Sequence, residues 1–300
     1  MSDPYQDCTS VSPECPVSGT IYGYAPNLAA NAFFCAFFSL FLLANLLLPL
    51  KYKTWTYASI LSLGALAEVI GYAGRILMHS NAWSPAGFEM QICCLILAPS
   101  FFAAAIYLNL KDIVRAIGPQ FSLIGPKLYP WIFITCDLLS LILQAAGGGT
   151  AASANTTKMT DAGGRIMLAG IVFQVATFTA LYFLAALFVR NLRSNAHLLT
   201  PSQSAVLHDR NFKVFAWGIF GASVVVYIRC IYRIAELAGG WKNKIMRDEV
   251  SFYILDGAMV AIAVLALTVA YPEAWWRKVL EKGEAGEKFG SEEEDGVVVV

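Results

Sequence analysis

The sequence predicts an all-α, polytopic membrane protein: a seven-transmembrane-helix bundle with its N-terminus outside and its C-terminus in the cytoplasm. Three observations predict it. The 300-residue chain is 57% hydrophobic and only 14% charged, with a mean hydropathy of +0.58, whereas a soluble domain is about one quarter charged. Its apolar runs last roughly 20 residues or more, the length a helix needs to cross the hydrocarbon and about twice that of a membrane strand. Its lysines and arginines are concentrated on alternate connections. At these lengths the helix is the form that satisfies its own backbone in lipid.

The predicted spans are 26–50, 54–78, 90–110, 128–149, 165–189, 212–237 and 250–271. Loop chemistry separates them: Lys51, Tyr52 and Lys53, then Gly118 and Pro119, Gly163 and Gly164, Thr200 and Pro201, and Gly239 and Gly240. Residues 1–25 read as an extracellular leader, 26–271 as the membrane domain and 272–300 as a cytoplasmic tail. In that tail Glu292, Glu293, Glu294 and Asp295 form a solvated acidic run. The stretch 190–211 is the longest internal connection; its Ser194, Thr200, Ser202 and Ser204 suit a regulatory loop, and a plain linker explains it as well.

Orientation follows from charge. Lys51, Lys53, Lys111, Arg115, Lys127, Arg190, Arg193, Arg210, Lys213, Arg277, Lys278, Lys282 and Lys288 fall on one side. The other side has only Lys158, Arg165, Lys242, Lys244 and Arg247, and the leader has none. The positive-inside rule places the richer side in the cytoplasm. Asn155 opens the Asn155, Thr156, Thr157 glycosylation triplet, in a loop assigned outside. Asp3, Asp7 and Glu14 stand where a signal peptide needs basic residues, so the first helix is expected to direct its own insertion. Cys8 and Cys15, in the exterior leader, are a candidate disulfide, while Cys35, Cys93, Cys94, Cys136 and Cys230 lie within spans as small apolar fillers.

Seven ionisable side chains stand inside the spans: Glu68, Arg75, Asp137, Arg229, Arg233, Glu236 and Asp256, with Glu89 and Glu249 at span ends. At about 3 kcal/mol for each charge at a helix centre, turning all of them to lipid costs roughly 20 kcal/mol, so they face inward. Glu68 and Arg75, Asp137 and Gln144, Arg229 and Glu236, and Glu249 and Asp256 are each seven apart, two turns on one helix face. That separation is roughly 10 Å of rise, so partners must come from other helices; Arg233 and Glu236, three apart, are the exception. With Gln174, these residues are predicted to line a polar chamber that opens outward over an apolar inner floor interrupted by Asn45 and Asn109. A network that only fixes helix register is the competing reading; the excess of acids and arginines favours a ligand site. Ala67, Gly71 and Gly74 read as a packing face, and Pro99 frees a carbonyl in the preceding turn, as a bend or a hinge.

Several classes are excluded. The last span has no lysine for a retinal Schiff base, and His79, His197 and His208 are too few and too peripheral for a haem or metal site. No P-loop motif occurs. No cofactor and no metal are expected, and nucleic acid is not an expected partner.

The polar positions belong to a longer pattern. Tyr24, Ala25, Pro26 and Asn27 precede the first span; Glu68, Gly71, Tyr72 and Arg75 mark the second; Ala98, Pro99, Ala103, Ala104 and Tyr107 the third. Asp137, Ser140, Gln144 and the glycines 147–149 follow, then Gly170 and Gln174, then Arg229, Arg233 and Glu236, and finally Glu249, Tyr253, Asp256 and Pro272. In this order, across about residues 22–272, the pattern resembles the fungal lipid-translocating exporter (RTA-like) family. Tyr271 departs from it, standing where many relatives are expected to carry histidine.

The resemblance implies a seven-span fungal membrane protein linked to resistance to toxic amphiphiles, with relatives associated with sphingoid long-chain bases, sterol-like compounds or porphyrin. The expected function is therefore a transporter or flippase-like exporter of lipid-like amphiphiles, not an enzyme, at the plasma membrane. Its partner is a membrane lipid or amphiphilic small molecule within the bilayer. Glu68, Asp137, Glu236 and Asp256 are expected to attract an amine head group, and the arginines to hold those acids in place. Arg75, Gln144, Gln174, Arg229, Arg233 and Glu249 complete the expected substrate-binding set. The alternative is a seven-helix lipid sensor that regulates lipid traffic without carrying anything. An intramembrane enzyme fits least, because no nucleophile or metal set accompanies the carboxylates.

Overall fold

The computed structural model describes residues 5, 8–152, 154, 156–241 and 243–271. The glycosylation triplet's Asn155 and the acidic tail at 272–300 lie outside the described residues. Among the described residues the fold is all-helical, and seven helical spans are long and apolar enough to cross a membrane.

Helix α1 (Leu28–Tyr52) starts at Asn27, whose side chain accepts from the Ala30 amide at 3.1 Å, satisfying one of the unpaired amides every helix start leaves. It ends at Lys53 in the left-handed region, with φ of 59°. After a two-residue turn, α2 (Trp55–Ser80) returns, and α3 (Pro85–Ile117) begins at an N-cap serine, Ser84, followed by a proline at the first helical position. Then come α4 (Leu128–Ala152), α5 (Thr157–Ser194), a short α6 (Pro201–His208) and α7 (Arg210–Ala238). The last span is composite: α8 (Glu249–Phe252), a π-helical turn (Tyr253–Ala258) and α9 (Met259–Val269).

Three expectations are corrected. Gly163 and Gly164 are not a loop: α5 starts at Thr157 and runs 38 residues. Gly163 is there for close packing. A Cβ on Gly163 would stand 2.6 Å from the Ala151 nitrogen and the Gly147 carbonyl, and one on Gly147 would meet the Gly163 carbonyl at 2.6 Å. The stretch 190–211 is mostly helical as well, since α5 continues to Ser194 and α6 is closed by a Thr200 and Gln203 capping box. Thr200 is thus part of a helix start. Finally, α3 spans 33 residues and α5 spans 38, about 50 and 57 Å at 1.5 Å per residue, longer than the roughly 30 Å hydrocarbon.

The antiparallel spans give the bundle two ends, and the one carrying the N-terminal leader is called here the leader end. Helix α2 lies in the interior, against α1, α3 and α9; α4 packs on α5, and α7 packs on α9, α5 and α3. Gly64, Gly71 and Gly74 of α2 face α3, where added methyls would meet the Phe102 ring, the Leu95 side chain and the Gly87 carbonyl. The core between these helices includes Phe38, Leu61, Leu95, Phe102, Tyr107, Phe178, Val226 and Val264, all fully buried. The outward faces are apolar too, with Leu43, Leu47, Leu50, Trp131 and Trp217 exposed, as a lipid-facing surface requires. The leader folds over its own end of the bundle: Cys8 and Cys15 are joined with Cα atoms 5.8 Å apart, and the Trp83 indole donates to the Cys15 carbonyl at 3.0 Å.

Candidate functional site

All seven ionisable side chains predicted inside the spans are buried. They and their partners fall into separate groups, each built from a different combination of helices.

At the leader end, the Arg75 guanidinium lies 3.4 Å from the Glu249 carboxylate, donates to the Asn31 side chain at 2.8 Å and reaches the Tyr24 hydroxyl at 3.3 Å. Tyr253 donates to Glu249 at 2.7 Å, and Asn31 donates to the Tyr253 hydroxyl at 2.7 Å. Three rings enclose the cation, with Phe252, Tyr253 and Tyr22 centred 4.0, 5.6 and 5.8 Å from the Arg75 Cζ. Burial pushes the Tyr22 and Tyr24 phenols up, so both serve as neutral hydroxyls; Tyr22 accepts from Gln91 at 2.8 Å.

Two turns beyond Glu249 along the last span, Asp256 pairs with Arg229 at 2.7 Å, and Arg233 pairs with Glu236 and stands 4.0 Å from Asp256. The π-helical turn carries Asp256; its wider hydrogen-bond ring is common where a helix presents a side chain for a purpose. Arg229 also donates to the carbonyl of Leu95, four residues before Pro99. Proline has no N–H, so that carbonyl lacks its helical donor, and the guanidinium replaces it.

The third group ties α3, α4 and α5. Gln144 donates to the Ser140 hydroxyl at 2.8 Å and lies 3.4 Å from the Gln174 oxygen, Gln174 donates to Ser100 at 3.0 Å, and Ser140 donates to the Gly170 carbonyl at 2.7 Å. These residues hold helices together at close range, as polar side chains between membrane helices commonly do.

Two acids stand apart. Asp137 accepts from the Tyr107 hydroxyl at 2.9 Å on one oxygen, while its other oxygen is buried with no hydrogen-bond partner. Glu68 is 1% exposed, and neither carboxylate oxygen has a hydrogen-bond partner. Its charged neighbours are Asp256, Arg229 and Arg233, but both arginines are already engaged. Tyr72, one turn along on α2, also has an unpartnered hydroxyl; its ring stacks on Phe34 and Phe38 at 5.1 and 5.7 Å. Glu68 is 12 residues from the end of α2, about 18 Å of rise and close to mid-bilayer.

The expected single chamber is therefore corrected in two respects. Glu236 and Asp256 are held by arginines, but Glu68 and Asp137 are not. The apolar floor is likewise hydrogen-bonded: Asn45 donates to Thr268 at 3.0 Å, Asn109 to Tyr57 at 3.1 Å, Tyr57 to the Leu267 carbonyl at 3.0 Å, and Thr54 to Tyr271 at 2.6 Å. Asn31 and Ser100 were not foreseen as site residues; Asn31 follows Asn27 at one helical turn, a spacing that marks them as one polar face.

With this geometry in view, the comparisons with known proteins decide the family. A family model described as "RTA1 like protein" matches residues 61–278. The chain belongs to this family. It is 32% identical over 284 residues to a Saccharomyces cerevisiae protein named sphingoid long-chain base transporter RSB1, covering 85% of this chain and 74% of the relative. It is 27% identical over 207 residues to protoporphyrin uptake protein 1 of the same yeast, covering 69% of this chain and 65% of the relative. It is also 24% identical over 208 residues to the yeast protein RTM1, covering 69% of this chain and 64% of that one. No solved structure matches. With its seven apolar spans this is a multi-pass membrane protein, and Glu68 and Asp137 lie within the matched segment.

Proposed function

We propose that this RTA1-like protein carries cationic, lipid-like amphiphiles of the sphingoid long-chain-base type across the membrane, with Glu68 as the carboxylate that receives the ammonium group and Asp137 as a second station. The observation that carries the reading is Glu68 itself, buried at mid-helix with both oxygens unpartnered while neighbouring arginines are engaged elsewhere. A carboxyl group there is tolerated only when protonated or when a cation lies against it. An alkylammonium supplies that cation through one head group, and its tail suits the surrounding hydrocarbon.

The name of the sphingoid-base transporter supports this substrate class. On this reading the leader is extracellular, Asn155 carries a glycan, and the protein confers resistance by export at the plasma membrane. Asp256 and Glu236 then set the site's shape through their arginines.

The test is purified protein in liposomes, assayed for movement of a labelled sphingoid base between leaflets. Glu68→Gln and Asp137→Asn should each slow movement at least about tenfold at unchanged folding, the cost of one charge-assisted contact. Undiminished movement in both variants would overturn the mechanism. Binding without movement by the unmodified protein would favour a sensor.

A further inference from the structure

A groove of about 620 Å³ runs between α5 and α7 at the end of the bundle opposite the leader, and no carboxylate is among its lining residues. Its walls are Tyr182, Ala186, Val189 and Phe220, and its rim carries Arg190 and Arg193. Ala186 leaves the space between the two rings open. Tyr182 is held by a 3.0 Å hydrogen bond to Ser223 and an edge-on contact with Phe220.

From Tyr182 to Arg193 the groove follows α5 for 11 residues, about 16 Å of rise, matching the roughly 15 Å hydrocarbon depth of one leaflet. Both arginines are exposed, and neither makes an ion pair or side-chain hydrogen bond among the described residues. Lys213 stands seven residues before Phe220, on the same face of α7. Between them, Trp217 is 71% exposed and contacts Phe220 edge-on at 5.7 Å, as an aromatic at a membrane boundary does. The groove thus offers an apolar channel one leaflet deep beneath a cluster of cations. That charge rejects an ammonium amphiphile, so the occupant is not the cargo proposed above.

We propose that this groove is a resident site for an anionic phospholipid, whose acyl chain lies along Ala186 and Val189 and whose phosphate is held by Arg190 and Arg193. A bidentate guanidinium fits a phosphate oxygen pair where a lysine supplies only a point charge. The site is independent of Glu68 and Asp137 and of the direction in which any substrate moves.

The test uses the full chain reconstituted in nanodiscs of phosphatidylcholine with and without phosphatidylserine, with retained lipid counted by native mass spectrometry. The unmodified protein should retain phosphatidylserine in preference to phosphatidylcholine. Arg190→Gln with Arg193→Gln should lower that retention about thirtyfold, the factor two interfacial cations supply, while Arg190→Lys with Arg193→Lys, which keeps the charge but not the bidentate fork, should give an intermediate loss. Ala186→Trp, which fills the channel without touching the charges, should displace the lipid as well. Equal retention of the two lipids, or unchanged phosphatidylserine retention in the Gln pair or in Ala186→Trp, overturns the proposal. Ala186, Arg190 and Arg193 are all exposed, and an unchanged melting temperature verifies that the fold is preserved.

Discussion

The guanidinium of Arg229 donates to the carbonyl of Leu95, the one backbone acceptor in α3 that Pro99 deprives of its helical donor. One side chain therefore completes the backbone of one helix while pairing with Asp256 on another at 2.7 Å. Replacing Arg229 with Met leaves the Leu95 carbonyl without a donor and Asp256 with only Arg233, 4.0 Å away, and should cost about 3–5 kcal/mol. In a Pro99→Ala background the Leu95 carbonyl regains its own amide donor. The same Arg229→Met change should then cost about 1 kcal/mol less, the net worth of one hydrogen bond. Unfolding of the four proteins in detergent forms the cycle, and strict additivity would show that the contact carries no energy.

Tyr107 and Asp137 separate stability from transport. Tyr107→Phe removes the hydrogen bond to Asp137 and should lower stability by about 1–3 kcal/mol. Asp137→Asn keeps an acceptor for the phenol and should lower stability by under about 1 kcal/mol, yet impair movement of a sphingoid base in liposomes. Melting temperature and transport rate, measured on both variants, should rank them in opposite orders.

The glycines between α4 and α5 divide by what a methyl group would meet. On Gly170 it would stand 2.9 Å from the Ser140 carbonyl, and on Gly147 2.5 Å from the Met167 nitrogen. Backbone cannot yield as a side chain can, so Gly147→Ala and Gly170→Ala should each cost about 1–3 kcal/mol. Gly221 in α7 meets nothing within 4 Å, and Gly221→Ala should be neutral or stabilising by up to about 1 kcal/mol. Thermal unfolding distinguishes the two groups.

Asp248 makes the start of α8 pH-dependent. Its carboxylate accepts from the Val250 amide at 3.2 Å and the Ser251 hydroxyl at 2.5 Å, the hydrogen bond to Ser251 being the larger reason that its carboxyl is held below the usual range. Because the folded value is depressed, the cap's contribution is complete above the ordinary carboxylate pKa and is lost as pH falls through the lower, folded one. Asp248→Asn keeps a neutral cap and should abolish that dependence. Hydrogen exchange at the first amides of α8, followed across the acid range, measures it.

The spans were legible because an apolar run of bilayer length is seldom anything but a membrane helix, and the buried acids and arginines were legible because a charge inside such a run must turn inward. Pair choice was not. That Arg75 meets Glu249 and Arg229 meets Asp256 depends on the relative depth of helices, which seven-residue spacing along single helices does not contain. Gly163 reads as a loop residue because glycine ends helices in water, whereas between membrane helices it admits a neighbouring backbone. Asn31 carries no charge and stands in an apolar helix, so its role is not legible in the sequence, though it accepts from Arg75 and donates to Tyr253. The π-helical turn at Asp256 left no mark, since one additional residue in a turn shifts the phase of a helix without altering its composition.

The rings of Phe252, Tyr253 and Tyr22 around Arg75 make the kind of enclosure that captures ammonium ligands. Here the enclosure is filled by the chain's own guanidinium, anchored to α2 and therefore present at a concentration no dissolved amine can match. Arg75 is a tethered competitor: it denies amines a resting place near the membrane surface, so that any amine held by this protein must be held deeper.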